Sequence, residues 1–290
     1  MAIAEARNYS IEVEDIEYLR HGENGLLARV FRPRGAGPFP ALVQLHGGAW
    51  CLMDRTRDNP LNEALAHSGI VVAAIDFRMP PVASYPASMQ DINYAIRWLK
   101  SRAAEFGTRA ELVGVHGTSS GGHQAMLSAM RPRDPRYAEL VLERAPSIDA
   151  SVRFVAMCWP VIDPLSRYRY AQRLKAGGKP YPDFVDNVLP LHDAYWKTEE
   201  AMLEGNPLQA LKRGERAELP PALYIQGADD IVHPRADLEA FVADYRSAGG
   251  NIELELIEGA TEAFISRDPS SPAAQRAIAK IVEFVHRVAH

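Results

Sequence analysis

The chain has 290 residues, a formal net charge of −5 and a pI near 6.0, a length that accommodates one large domain or a core domain carrying an insertion. The acidic balance leaves no basic footprint for nucleic acid and no polybasic patch for a membrane surface, and 47% hydrophobic with 24% charged residues is ordinary for a globular protein. No window reaches the roughly 18 apolar residues of a membrane span, and Met1–Arg7 lacks a charged segment leading into an apolar one, so a cytoplasmic location is expected.

In chain order, Ile11 to Leu19 and Leu27 to Phe31 alternate as early antiparallel strands separated by the turn-rich stretch His21 to Gly25. A loop spans Pro33 to Pro40. Ala41 to Leu45 reads as a short buried strand that runs into His46-Gly47-Gly48-Ala49-Trp50. Ile70 to Ile75 is continuously apolar, as a strand covered on both faces requires, and it ends at Asp76-Phe77-Arg78. Asp91 to Arg102 repeats Ile92, Ala95, Ile96 and Leu99 at helical spacing. Later come strands at Val152 to Met157, Ala222 to Gln226 and Ile252 to Ile257, with helices at Leu238 to Ala248 and Ala273 to Val288.

This alternation predicts an α/β fold, a mostly parallel central sheet with helices on both faces. The whole chain, 1–290, reads as a single domain. Residues 164–219 carry no strand pattern but many aromatic and charged side chains, Arg167, Arg169, Arg173 and Lys175 among them. That stretch is expected to form a lid or cap inserted over the strand ends, where an aromatic or anionic group could be received.

The sharpest local signal is Gly117-Thr118-Ser119-Ser120-Gly121-Gly122 directly after the apolar run Leu112 to Val115 and before a helix-compatible stretch. A strand, a GxSxG turn and a helix in that order form a nucleophile elbow. Small residues are needed there because the serine sits in a strained backbone geometry between closely approaching elements. Cys51 and Cys158 have neither CxxC nor metal spacing and are expected to be reduced thiols. With no GxGxxG after a strand, no GxxxxGK and no HExxH, neither a cofactor nor a metal is expected.

Taken together, His46 to Trp50, Asp76-Phe77-Arg78 with Tyr85-Pro86-Ala87 and Asp91, and Gly117 to His123 resemble motifs of the hormone-sensitive-lipase and acetyl-esterase group of α/β-hydrolases, which also includes kynurenine formamidase-like enzymes. The resemblance runs from about residue 25 to the end. It implies an α/β-hydrolase fold and a Ser/Asp/His triad hydrolysing a small-molecule ester or amide without a cofactor. It makes Ser119 the nucleophile and the backbone N–H groups of Gly47, Gly48 and Ser120 the oxyanion hole, each donor worth roughly 3 to 4 kcal/mol. It also implies that His46 braces the loop and that His123 packs beside the elbow. The acid falls at Asp229 or Asp230, with GxxD spacing from Gly227 selecting Asp230.

One position departs from that pattern. The group's base histidine belongs in a GxxHGF-like segment, and here Gly259-Ala260-Thr261-Glu262-Ala263-Phe264 places Glu262 in its slot. Three readings follow. Glu262 acts as the base, sharing a proton with Asp230; another histidine, His233 or His192, reaches Ser119; or the scaffold binds a small molecule without turning it over. The first is the leading expectation, a carboxylesterase-type serine hydrolase with a Ser119/Glu262/Asp230 site. Sheet edges and terminal helices leave pairing into a homodimer open.

Overall fold

A computed structural model describes residues 8 to 289. Met1–Arg7, on which the leader expectation rests, lies outside the described residues. The strands are β1 (Ile11–His21), β2 (Asn24–Pro33), β3 (Ala41–Leu45), β4 (Val71–Ile75), β5 (Val113–Thr118), β6 (Val155–Cys158), β7 (Ala222–Gly227) and β8 (Ile252–Ile257). They form one sheet in the order β1-β2-β4-β3-β5-β6-β7-β8. β1 pairs with β2, and β2 with β4, antiparallel, while the other neighbours run parallel.

The sequence dictates this layering through the apolarity of the central strands. All five residues of β3 and of β4 are buried, so both sheet faces must be covered. On one face Val43, Val71 and Val115 pack with Ile92 and Ile96 of α2 (Ala87–Ser101), Met126 of α3 (Ser120–Met130) and Phe241 of α8 (Arg235–Ser247). On the other, Leu42, Val72 and Ile225 meet Leu65 of α1 (Asn59–His67) and Ile281 and Phe284 of α10 (Pro272–Ala289). Each such fully buried aliphatic or aromatic side chain contributes roughly 1.5–3 kcal/mol.

Two elements differ from the expectation. α2 starts at Ala87 rather than near Asp91, because Ser88, Asp91 and Asn93 are buried polar residues that hide the helical period. Asp91 is buried because it accepts from the Arg78 backbone N–H at 2.8 Å, from the Arg78 guanidinium at 2.9 Å and from His21 at 2.9 Å. Asp76-Phe77-Arg78 and Asp91 thus clamp the chain beyond β4 to the helix that follows. α1 is absent from the sequence reading, although Pro60 in its first turn and Leu61, Leu65 and Ala66 on its buried side are ordinary helix signals.

The strandless stretch is helical: α4 (Pro164–Ala176), α5 (Phe184–Trp196), α6 (Glu199–Glu204) and α7 (Pro207–Lys212) lie between β6 and β7. Asp163 caps α4 by accepting from the Ser166 N–H at 2.8 Å, and its carboxylate also takes Asn206 at 2.7 Å and Gln209 at 3.0 Å, tying α4 to α7. Trp50, fully buried beyond β3, stacks on Tyr195 with ring centroids 5.5 Å apart and meets Trp196 edge-on at 5.4 Å. The inserted helices are therefore packed against the His46 to Trp50 loop. Among the described residues, no helix is long and apolar enough to cross a membrane.

Candidate active site

Ser119 stands between β5 and α3 with φ 51° and ψ −119°, a conformation that side-chain-bearing residues seldom adopt. Only glycine tolerates the crowding around it. A Cβ on Gly117 would lie 2.2 Å from the Gly121 carbonyl oxygen, and one on Gly121 would lie 2.2 Å from the Leu45 oxygen. The strained bend is held by the Ser119 N–H, which donates to the Cys158 oxygen at 2.9 Å.

The loop after β3 lies alongside this bend. A Cβ on Gly47 would be 3.3 Å from the Ser119 Cβ, and Gly48 adopts φ +100° with a Cβ position only 2.2 Å from the Leu52 oxygen. The Trp50 N–H donates to the Ser120 Oγ at 3.1 Å, fastening loop to elbow. Ser120 opens α3, where backbone N–H groups lack intrahelical acceptors and negative charge is favoured.

Two histidines near the bend are held as braces. His46 donates from Nδ1 to the Gly47 carbonyl at 2.8 Å and stacks on Phe77, and burial keeps its pKa below the usual imidazole range. The Trp50 indole N–H donates to His123 Nδ1 at 3.2 Å, so the His123 Nε2–H donates to the Gly205 carbonyl at 2.7 Å. Burial pushes His123 down to about 3, which keeps it neutral and fixes that tautomer.

The group within hydrogen-bond reach of Ser119 is His233. Its Nε2 lies 3.5 Å from the Ser119 Oγ, and its Nδ1 lies 2.8 Å from Asp230 Oδ2. Because Nδ1–H donates to the carboxylate, Nε2 is left as the acceptor facing the serine hydroxyl. The Ser119 contact is at the long end of hydrogen-bond geometry. Asp230 accepts further from the Val232 N–H at 2.8 Å and the His233 N–H at 3.1 Å. Burial works to raise the Asp230 pKa, but the His233 imidazole and these N–H donors outweigh it and hold the carboxyl below its ordinary value. His233 is itself pinned, its carbonyl accepting from the Gln226 amide at 3.1 Å, just before α8 begins.

The arrangement corrects the leading expectation for Glu262. Its carboxylate receives the Arg267 guanidinium at 2.8 Å and makes no hydrogen bond to Ser119 or Asp230. It stands at the rim of the cavity, a quarter exposed, because Ala263 takes a left-handed turn into the short helix α9 (Phe264–Arg267) and brings Arg267 back over it. The other alternative histidine, His192, is buried on α5, with Nδ1 2.9 Å from the Val188 carbonyl and its ring against Trp50. Asp229 is exposed, whereas the Asp230 carboxylate is sealed from solvent, which separates the two candidates for the acid.

A cavity of about 310 Å³ opens beside Ser119, lined by Gly47, Gly48, Trp159, Phe184 and Leu191 and by the guanidinium-bearing Arg167. Beneath it lies Asp58, which the sequence reading did not single out. It takes the Gln44 amide at 2.8 Å, the Thr118 hydroxyl at 3.0 Å and the Ser266 hydroxyl at 2.9 Å, joining β3, the elbow and α9. Among the described residues, no group of three or more His, Cys, Asp or Glu side chains is arranged to hold a metal. The signal that points to His233 is the DxxH spacing of Asp230 and His233, together with the absence of histidine between β8 and α10.

The family model described as BD-FAE matches residues 30–241. The chain is 30% identical over 263 residues to esterase LipC of Mycobacterium tuberculosis, covering 86% of this chain and 59% of that protein. It is 37% identical over 243 residues to carboxylic ester hydrolase LipN of the same organism, covering 82% and 61%. The chain thus spans less than two thirds of the length of these curated relatives. Among solved structures, an esterase from Pyrobaculum calidifontis superposes with a TM-score of 0.79 at 24% identity, covering 98% of this chain and 86% of that one. The esterase Est2 from Thermogutta terrifontis gives 0.73 at 24% identity, with 98% and 95% covered. At that identity the likeness establishes a shared fold.

Proposed function

The chain belongs to the BD-FAE family and carries the α/β-hydrolase fold, and from that premise we propose that it is a carboxylesterase-type serine hydrolase acting on a small ester or amide through Ser119, His233 and Asp230. The observation that carries the reading is the unbroken hydrogen-bond chain from the Ser119 Oγ through His233 to Asp230. Esterase names among the relatives support it. In this reading the triad is complete, with its histidine displaced from the loop after β8 to the loop after β7.

The chemistry follows from the tautomer. His233 Nε2 accepts the Ser119 proton as Oγ bonds to the substrate carbonyl carbon, and the electron pair of the C=O moves onto oxygen. Gly47, Gly48 and Ser120 are the proposed N–H donors to that oxyanion. Asp230, held as a carboxylate, stabilises the imidazolium. The imidazolium then protonates the leaving alcohol or amine as its bond to carbon breaks. Water, deprotonated by the same Nε2, attacks the acyl-Ser119, and the returned proton restores the hydroxyl. The helices between β6 and β7 act as a cap that limits the cavity, with Trp50 as their anchor.

Cytoplasmic action belongs to the same proposal, supported by the free thiols Cys51 and Cys158. Pairing of two copies through a sheet edge also belongs to it and is read by sedimentation. The deciding experiment treats the protein with a fluorophosphonate probe. Labelling that disappears in Ser119→Ala, with hydrolysis of a short aryl ester, is the expected result. A protein that binds a small molecule and takes no label at any pH would be a receptor instead.

A further inference from the structure

Arg167 is a charged side chain without a partner. It is 2% exposed, and among the described residues its guanidinium forms no hydrogen bond and no ion pair. Its neighbour Arg169, by contrast, is exposed and paired with Glu199. The Arg167 guanidinium lies over the Trp50 ring at 5.3 Å, and Arg167 lines the same cavity as Ser119. The acids closest to it electrostatically are already engaged, Glu262 by Arg267 and Asp230 by His233. Burial brings Arg167 down to about 10 while Glu262 and Asp230 oppose the drop, so it stays a cation at neutral pH. A desolvated cation with no partner is a costly arrangement unless something binds to it.

Building on the esterase reading, we propose that Arg167 is the specificity-determining residue for an ester that carries a carboxylate, which it pairs as the ester carbonyl reaches Ser119. The two guanidinium nitrogens sealed from solvent without a hydrogen-bond partner are Nε and Nη2. That pair is the side-on edge whose parallel N–H groups match the two oxygens of a carboxylate. The same geometry pairs Arg29 with Asp15 on the surface of this protein. The rest of the lining, Trp159, Phe184, Val188 and Leu191, suits the apolar carbons between the two functional groups. Arg167 also borders a void of about 10 Å³ shared with Asp163 and Asp237, which has room for about one water and none for a carboxylate. The anion therefore meets the guanidinium from the larger cavity, after a small turn of the side chain.

The test compares matched pairs of esters, each corrected for spontaneous hydrolysis. One pair places the carboxylate on the acyl side, a 4-nitrophenyl hemiglutarate against the hexanoate. The other places it on the alcohol side, 4-acetoxybenzoate against 4-methylphenyl acetate. Wild-type kcat/KM favours the anionic member of at least one pair by 10-fold or more, and that ratio collapses toward one in Arg167→Met and survives in part in Arg167→Lys. Equal rates, or a neutral preference, in both pairs overturn the proposal. Fluorophosphonate labelling of Ser119 reports the esterase reading separately. If no ester is turned over, the same proposal is read by millimolar glutarate, which raises the wild-type melting temperature but not that of Arg167→Met. No shift by glutarate in wild type overturns it. Arg167→Met alone is expected to melt higher than wild type. A lower melting temperature combined with no anionic preference assigns the guanidinium to a structural bond through a fixed water. Should Arg167→Met fail to fold, the wild-type preference decides alone.

Discussion

Asp230 and His233 sit three positions apart in one loop, and their side chains meet at 2.8 Å with the imidazole turned toward Ser119. The proposed acid and base thus come from a single turn at the end of β7, with Asp230 also gripping the N–H groups of Val232 and His233. The loop that sets the orientation of the base is fixed by the carboxylate that stabilises it.

Removing the base separates the two candidates for that role. His233→Ala is expected to lower kcat for an aryl ester by roughly 10⁴-fold or more, as loss of a triad member does. Glu262→Gln, which loses only the pairing with Arg267, is expected to change it by less than about 10-fold. Steady-state kinetics on the two variants checks this, and the reverse order would return the base role to Glu262.

Glycine at the elbow is required by space, whereas at some other positions only the backbone conformation asks for it. Gly121→Ala would force a Cβ into the backbone of Leu45 and His46, an overpacking expected to cost about 3 kcal/mol or to prevent folding. Gly178, by contrast, sits at positive φ, +81°, in open space, and Gly178→Ala should cost only about 1 kcal/mol. Urea unfolding of both variants gives the comparison.

Asp58 should matter to stability and to turnover together. Asp58→Ala leaves the Gln44 amide and the Thr118 and Ser266 hydroxyls without their shared acceptor, on the order of 3 kcal/mol. Because Thr118 immediately precedes Ser119, the loss should also lower kcat on the folded fraction. Thermal melts and active-site titration distinguish the two effects.

A pH dependence follows from Asp237. Burial raises its pKa to about 7 against the hydrogen bond from Ser166, with Asp163 adding to the rise. Between about pH 4 and pH 7 the unfolded chain releases this proton while the folded protein keeps it, so this group's contribution to stability declines as pH rises and levels off above about 7. Asp237→Asn removes the dependence. The variant should melt higher than wild type at pH 8 and show a smaller difference between pH 5 and pH 8.

Much of the architecture was legible because it is local or periodic. The continuously apolar β3 and β4 require cover on both faces, and Gly117 and Gly121 around Ser119 require a tight bend before a helix. Those features are written in neighbouring residues. Glu262 fills the motif slot of a base yet turns to Arg267 instead of Ser119, because a position in a motif is not a position in space. The DxxH spacing of Asp230 and His233 marks a pair of side chains within one loop, but whether either reaches Ser119 depends on how the loops after β7 and β8 converge over the end of the sheet. The same holds for Asp58, which joins Gln44, Thr118 and Ser266 from three distant parts of the chain. It holds too for Arg167, whose lack of a partner becomes visible only once α4 is packed over Trp50. The sequence alone determined the sheet, the bend and the serine proposed as nucleophile, since period and steric crowding act between near neighbours. Tertiary structure decided which imidazole faces that nucleophile and which cation waits in the cavity, since long-range packing sets both.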